Sequence, residues 1–139
     1  MKQTLFIDTN ILLDVLLKRE DFYLDARRVL ELSQDKNCLL VVSVLSIANI
    51  AYVLRKKLKG DELYDSLKDL TDILSVVPIT KEHCDNAIKL KATDFEDALQ
   101  YYCAESCRCD AIITRNKKDF IGYSKIPVYT SAEYLEKVK

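Results

Sequence analysis

The chain has 139 residues, with 21 Lys and Arg against 22 Asp and Glu, so its formal net charge is -1. A composition of 49% hydrophobic and 31% charged residues is typical of a folded chain and excludes a disordered one. The balanced charge excludes a protein that holds nucleic acid through bulk positive charge alone. It leaves open a protein that uses a few placed groups or a bound metal ion. We expect a single domain over residues 1–139.

Cysteine usage and hydropathy indicate the compartment. The five cysteines are an odd number without regular spacing, which predicts free thiols in a reducing cytoplasm. Asp8 interrupts the apolar N-terminal run, so no secretory signal is expected there. No apolar stretch approaches the roughly 20 residues that span a bilayer. We expect a cytoplasmic protein without membrane contact.

Short apolar runs alternate with longer amphipathic runs along the chain. The apolar runs predict strands at residues 4–7, 38–42, 75–79, 111–114 and 127–129. The amphipathic runs predict helices at residues 11–17, 22–32, 45–58, 61–74, 80–90, 94–107 and 131–138. Asp61, Thr80 and Ser131 are expected to cap the helices that begin there. Pro78 predicts an edge position for the third strand.

Apolar strands separated by helices predict an α/β fold, with a parallel sheet covered on both faces. In such a sheet, a ligand site lies beyond the carboxyl ends of the strands. Polar residues follow the first strand at Asp8-Thr9-Asn10 and the fourth strand at Thr114–Asp119. A third cluster, with Asp94, Glu96 and Asp97, begins a helix.

Helix capping or a surface turn would explain each cluster taken singly. Three acids within four residues, however, repel one another, and a bound cation would relieve that repulsion. Carboxylate oxygens are the ligands that Mg²⁺ and Mn²⁺ prefer. The clusters therefore predict metal-assisted phosphoryl chemistry, with Arg115, Lys117 and Lys118 attracting substrate phosphates.

Four motifs in this order resemble those of the PIN-domain ribonucleases, and the small size resembles the VapC-type toxins of toxin-antitoxin pairs. The motifs are Asp8-Thr9-Asn10, then 43–49 (SVLSIAN), then 97–100 (DALQ), then 114–120 (TRNKKDF). The resemblance implies a three-layer α/β/α sandwich with a parallel five-stranded sheet in the order 3-2-1-4-5. It also implies hydrolysis of mainly single-stranded RNA with Mg²⁺ or Mn²⁺ held by acids. An antitoxin protein is the implied partner, and we also expect a homodimer.

The resemblance assigns roles residue by residue. Asp8 and Asp97 take two of the family's acid positions, whereas two other positions fall on the amides Asn49 and Asn116. We expect Asp8, Asp97 and Asp119 to be the catalytic metal ligands. The expected supporting residues are Asn10, Asn49, Asp94, Glu96, Thr114 and Asn116.

Two other functions stay open. The two amides allow a PIN fold that binds RNA without cleaving it. A receiver-type signalling domain also collects acids around Mg²⁺, although the acidic pair and late lysine of such domains are not arranged here in that way. Leu12, Leu13, Leu16 and Leu17 predict either core burial or a groove for a partner.

Overall fold

The computed structural model describes residues 2–139. The strands are Gln3–Ile7 (β1), Cys38–Ser43 (β2), Ser75–Val77 (β3), Ala111–Ile113 (β4) and Val128–Tyr129 (β5). The helices are Thr9–Leu16 (α1), Tyr23–Glu31 (α2), Val44–Leu54 (α3), Asp61–Ile73 (α4), Lys81–Leu90 (α5), Phe95–Ser106 (α6), Lys118–Ile121 (α7) and Ser131–Lys137 (α8). A short 3-10 turn, Leu32–Gln34, follows α2.

The five strands form one parallel sheet in the order β3-β2-β1-β4-β5, which confirms the expected topology. Strand β1 is central, with Leu5 opposite Leu40 on one side and opposite Ala111 on the other. Because all the strands are parallel, their carboxyl ends lie along one edge of the sheet. That edge carries the polar residues that follow β1 and β4.

Side chains of the central strands pack alternately on the two faces of the sheet. Leu5 and Ile7 belong to one core cluster, while Phe6 between them belongs to a second. The first cluster includes residues of α1, α2, α3, α4 and α8, and the second includes residues of α6 and α7. The sheet is therefore covered on both faces, which explains why its strands are continuously apolar.

The structure corrects two predicted helix caps and adds one helix. Gly60 precedes α4 with a φ of 53°, so the chain reverses at a residue without a Cβ, and Asp61 is the first helical residue rather than the cap. Thr130, not Ser131, caps α8, because Thr130 and Glu133 form a reciprocal capping box. Helix α7 was not predicted, since a four-residue helix has no apolar periodicity to reveal it.

The predicted edge position of the third strand is confirmed, and the structure decides between the two interpretations of the α1 leucines. Strand β3 lies at the edge of the sheet and ends one residue before Pro78. Leu12 and Leu13 are buried, and Leu16 and Leu17 pack against the same core, so these leucines form core rather than a groove. The five cysteines are free. None of the helices within residues 2–139 combines the length and the apolar character needed to cross a membrane.

Candidate functional site

Asp8 lies where β1 ends and caps α1. Its Oδ1 accepts a hydrogen bond from the Thr9 backbone N–H at 2.8 Å, and its Oδ2 accepts one from the Thr114 hydroxyl at 2.8 Å. Burial raises the pKa of Asp8, the two hydrogen bonds oppose that rise, and Asp119 adds to it. The start of α1 and the residue that follows β4 thus orient the buried Asp8 carboxylate at the edge of the sheet.

Asp97 lies in the first turn of α6, which Asp94 caps by accepting a hydrogen bond from the Asp97 N–H at 3.0 Å. Burial and then the negative charges of Asp94, Asp8, Asp119 and Glu96 raise the pKa of Asp97 from 3.8 to about 7. Of these repelling acids, Asp8 follows β1, Asp94 and Glu96 lie at the start of α6, and Asp119 lies in α7. The structure therefore brings the three acidic clusters to one place.

Asn49 of α3 is one of the two amides predicted to stand in place of an acid. Its side-chain N–H donates to Glu96 Oε1 at 2.6 Å. Burial raises the pKa of Glu96, Asp94 and Asp8 add to the rise, and the Asn49 hydrogen bond opposes it. Asn49 thereby holds the Glu96 carboxylate of α6 close to α3, where Asn49 itself supplies no negative charge.

The acids surround a cavity of about 350 Å³, here called the acidic cavity. Its walls include eight of the residues predicted for the site: Asp8, Asn10, Asn49, Asp94, Glu96, Asp97, Asn116 and Asp119. Thr114 lies beneath Asp8 as its hydrogen-bond donor. The exposed ring of Tyr52 also lines the cavity, and no sequence signal singled it out.

The three basic residues predicted to attract phosphate lie outside the lining of the acidic cavity. Arg115 pairs with Asp14, its Nε lying 2.9 Å from Oδ2. Lys117 donates to both carboxylate oxygens of Glu133 at 3.0 Å. Lys118 lines a neighbouring cavity that Asp119 also lines. Lys118 thus lies in the same cavity as Asp119, a predicted metal ligand, whereas Arg115 and Lys117 are paired with other acids.

A buried polar network supports the acidic cavity. The Ser43 hydroxyl donates to Gln100 Oε1 at 2.7 Å, and Gln100 Nε2 donates to the Ser46 hydroxyl at 3.0 Å. The Ser46 hydroxyl also lies 2.7 Å from that of Thr9. These bonds join α1, α3 and α6 directly under the residues that carry the acids. Gln100 was missed as a site residue; its position three residues after Asp97 on an apolar helix face was the available signal.

A divalent cation fits the donors of the acidic cavity. Carboxylate and amide oxygens are hard ligands, and a cation would offset the mutual repulsion that raises the pKa of Asp97. Across residues 2–139, no three His, Cys, Asp or Glu side chains are placed closely enough to form a finished metal cage. Oxygen donors of this kind suit an ion such as Mg²⁺, which retains several water ligands in proteins.

Comparisons with known proteins identify the family and the fold of the chain. A family model described as PIN domain matches residues 4–118. Ribonuclease VapC1 of Aquifex aeolicus (strain VF5) is 33% identical over 143 residues, covering 97% of this chain and 95% of that protein.

Two solved structures share the fold at low sequence identity. VapBC-1 from nontypeable Haemophilus influenzae matches with a TM-score of 0.72 and 20% identity, covering 94% of this chain and 99% of the other. VapBC2 from Rickettsia felis, bound to a DNA fragment from its promoter, matches with a TM-score of 0.70 and 16% identity, covering 91% and 97%.

Proposed function

The chain belongs to the PIN domain family, and from that premise we propose that it is a ribonuclease that hydrolyses phosphodiester bonds of single-stranded RNA with Mg²⁺ or Mn²⁺. The observation that carries this proposal is the acidic cavity, where Asp8 and Asp97 are buried or half-buried near Asp119. A full-length relative named a ribonuclease supports the same activity. The receiver-type alternative has no comparable support.

In the proposed mechanism, Asp8, Asp97 and Asp119 are the residues that would hold a divalent cation, directly or through water. When bound, a divalent ion supplies a Lewis acid that activates water and offsets negative charge on the reacting phosphate. Thr114 and the Thr9 N–H keep the Asp8 carboxylate in one orientation. Rigid orientation matters because a carboxylate that is already fixed would lose little freedom on binding a cation.

The remaining site residues position substrate and acids in this proposal. Asn49 orients Glu96, and Asp94 orients Asp97 through its backbone N–H. The side chains of Asn10 and Asn116, which line the cavity, donate hydrogen bonds to substrate oxygens. Lys118 and Lys117 attract the flanking phosphates.

The proposal extends to the cellular role and the partners. We propose a cytoplasmic toxin that is held inactive by an antitoxin protein, because the solved structures with the same fold include VapBC pairs. A homodimer is also proposed, and the mass of the purified chain in solution, measured by light scattering, tests it. The single-domain organisation over residues 1–139 remains part of the proposal.

The test of the activity measures cleavage of labelled single-stranded RNA with Mn²⁺, with Mg²⁺ and with EDTA. Cleavage should require the metal, and Asp8→Asn should reduce it about 10³-fold or more while the protein stays folded. Asp65→Asn, an exposed acid on α4, is the matched control and should cleave like the wild type. Cleavage by Asp8→Asn at the wild-type rate would show that the site assignment is wrong.

The amides at Asn49 and Asn116 favour a second candidate, an RNA-binding module with weak or no activity. Each amide offers a carbonyl oxygen to a cation but no negative charge. The same assay separates the two functions. RNA that is bound but left intact under every metal condition would favour the binding module.

A further inference from the structure

A second cavity adjoins the acidic cavity and shares Asn116 with it. It has a volume of about 460 Å³ and lies between the α1–α2 region, the segment after β4 and the start of α8. We call it the Arg115 cavity, since Arg115 is the one arginine or lysine in its lining within residues 2–139. Its size is within the range of pockets that enclose small organic ligands.

Arg115 is held in one orientation from two sides. Its Nε lies 2.9 Å from Asp14 Oδ2, and its guanidinium carbon lies 4.1 Å from the centre of the Phe22 ring. Asp14 has 0% of its surface exposed, so the pair is anchored below the cavity, while 26% of the Arg115 side chain stays accessible. The contact uses Nε and leaves the two terminal nitrogens as a fork that matches phosphate oxygens.

One buried polar atom of the lining has no partner in the described chain. Ser131 is only 8% exposed, and its Oγ forms no hydrogen bond. Asp14 Oδ2 and Arg115 Nε also form no aligned hydrogen bond, but they lie 2.9 Å apart and compensate each other as an ion pair. Because folded proteins leave few buried polar atoms unpaired, Ser131 Oγ is available to a polar ligand.

Two carboxylates complete the lining on the side of α2. Asp21 is exposed and forms no ion pair within the described chain, and Asp25 contacts Arg28 only at 3.9 Å. Ionised carboxylates accept hydrogen bonds and donate none. The two carboxylates offer acceptors for N–H groups on one side of the cavity, while Arg115, Asn116 and Ser131 carry donors on the other sides. A nucleotide carries both complementary groups, a phosphate and a base with N–H donors.

We propose that the Arg115 cavity binds the nucleotide next to the scissile phosphate of the RNA strand, which rests on the proposed function. Arg115 binds the phosphate of that nucleotide, and Asp21 and Asp25 accept hydrogen bonds from its base. A guanine, with adjacent N1–H and N2–H donors, suits a carboxylate best. Asp14 is a positioning residue that acts through Arg115. The shared wall at Asn116 places this nucleotide beside the acids.

The experiment measures equilibrium binding of fluorescent single-stranded RNAs to the full chain carrying Asp8→Asn, so that cleavage does not interfere. The RNAs are short uridine oligomers with one central guanosine, adenosine, cytidine or uridine. Arg115→Lys keeps the positive charge beside Asp14 but loses the two terminal guanidinium nitrogens. It should weaken the binding of every RNA about tenfold. Asp21→Asn should weaken the binding of the guanosine-containing RNA about fivefold and that of the other RNAs little. The exposed control, Asp65→Asn, should change neither.

The outcomes separate this inference from the proposed function. If the Asp8-intact protein cleaves RNA but Arg115→Lys and Asp21→Asn bind like the control, the nucleotide site is wrong and the nuclease stands. If no metal condition gives cleavage but binding depends on Arg115 and on guanosine, the site stands and the nuclease is wrong. Loss of antitoxin binding by Arg115→Lys, with RNA affinity unchanged, would assign the cavity to protein docking and overturn the proposal.

Discussion

Asp8, which caps α1, and Asp14, which lies within it, are both buried carboxylates, but their surroundings differ. Asp14 lies between two arginines, with Arg19 Nη1 at 3.2 Å and Arg115 Nε at 2.9 Å. Asp8 forms no ion pair within residues 2–139 and is held by the neutral donors Thr9 and Thr114. Their exposed fractions, 6% and 0%, are nearly the same.

The difference distinguishes a carboxylate that the fold satisfies from one that it leaves for a ligand. A buried charge costs free energy unless a partner compensates it, and the chain supplies that partner only to Asp14. Burial raises the pKa of Asp8, and burial together with neighbouring acids raises that of Asp97. We infer that Asp14 contributes to the folded state, whereas the acids of the cavity lower its stability until a cation binds.

Exchanging each carboxylate for its amide is the strongest test of this contrast. Asp14→Asn should lower the free energy of unfolding by about 3 kcal/mol, because two guanidinium groups lose their partner. The loss is at the low end for a buried pair since both arginines remain partly exposed. Asp8→Asn should not destabilise the metal-free protein at neutral pH, because asparagine caps helices as well as aspartate. Urea unfolding with EDTA measures both, and equal losses would contradict the contrast.

The buried network under the site gives a smaller expected effect. Gln100→Met keeps the approximate size of the side chain but removes its bonds to Ser43 and Ser46. We expect a loss of about 1–2 kcal/mol, the cost of leaving buried hydroxyl groups without a partner. Because the network joins α1, α3 and α6, the Mn²⁺ concentration needed for half-maximal cleavage should rise as well. A methionine variant with unchanged stability and metal response would show that the network does not position the acids.

The sequence was sufficient to predict the sheet and the acids that line the acidic cavity. It was not sufficient to predict the ion pairs that Asp14 forms with two arginines. Apolar strands and amphipathic helices follow from local periodicity, and the acids follow from their place after β1 and β4. Asp14 stands among leucines in α1, which signals a buried acid, but its partner Arg115 is distant in sequence and no spacing rule identifies it. Arg115 was accordingly assigned to phosphate alone. The position of Gln100 three residues after Asp97 was visible in the sequence, but its hydrogen-bond partners were not, since they lie on other elements.

The smallest expected effect is a pH-dependent gain in stability on removing a site acid. In the metal-free folded chain the pKa of Asp97 is about 7, against 3.8 for the ordinary carboxyl. The folded state therefore holds a proton that the unfolded state releases, so this group lowers stability as pH rises between these values. Asp97→Asn removes that loss, so its melting temperature in EDTA should exceed that of the wild type by a few degrees at about pH 8. Near pH 3.5 the Asp97 carboxyl is mostly protonated in both the folded and the unfolded wild type, so the gain should become small.

The control for Asp97→Asn is Asp65→Asn, which removes the same charge from an exposed position on α4. It should change the free energy of unfolding by no more than about 0.5 kcal/mol at either pH. Adding Mn²⁺ at about pH 8 should raise the melting temperature of the wild type above that of Asp97→Asn, because only the wild type keeps the full set of acids for the cation. If Asp97→Asn is no more stable than the wild type at high pH, the acids do not repel one another as the pKa indicates. The lack of an arginine or lysine partner at Asp8 and Asp97 would then have no measurable effect on stability, and the contrast with Asp14 would fail.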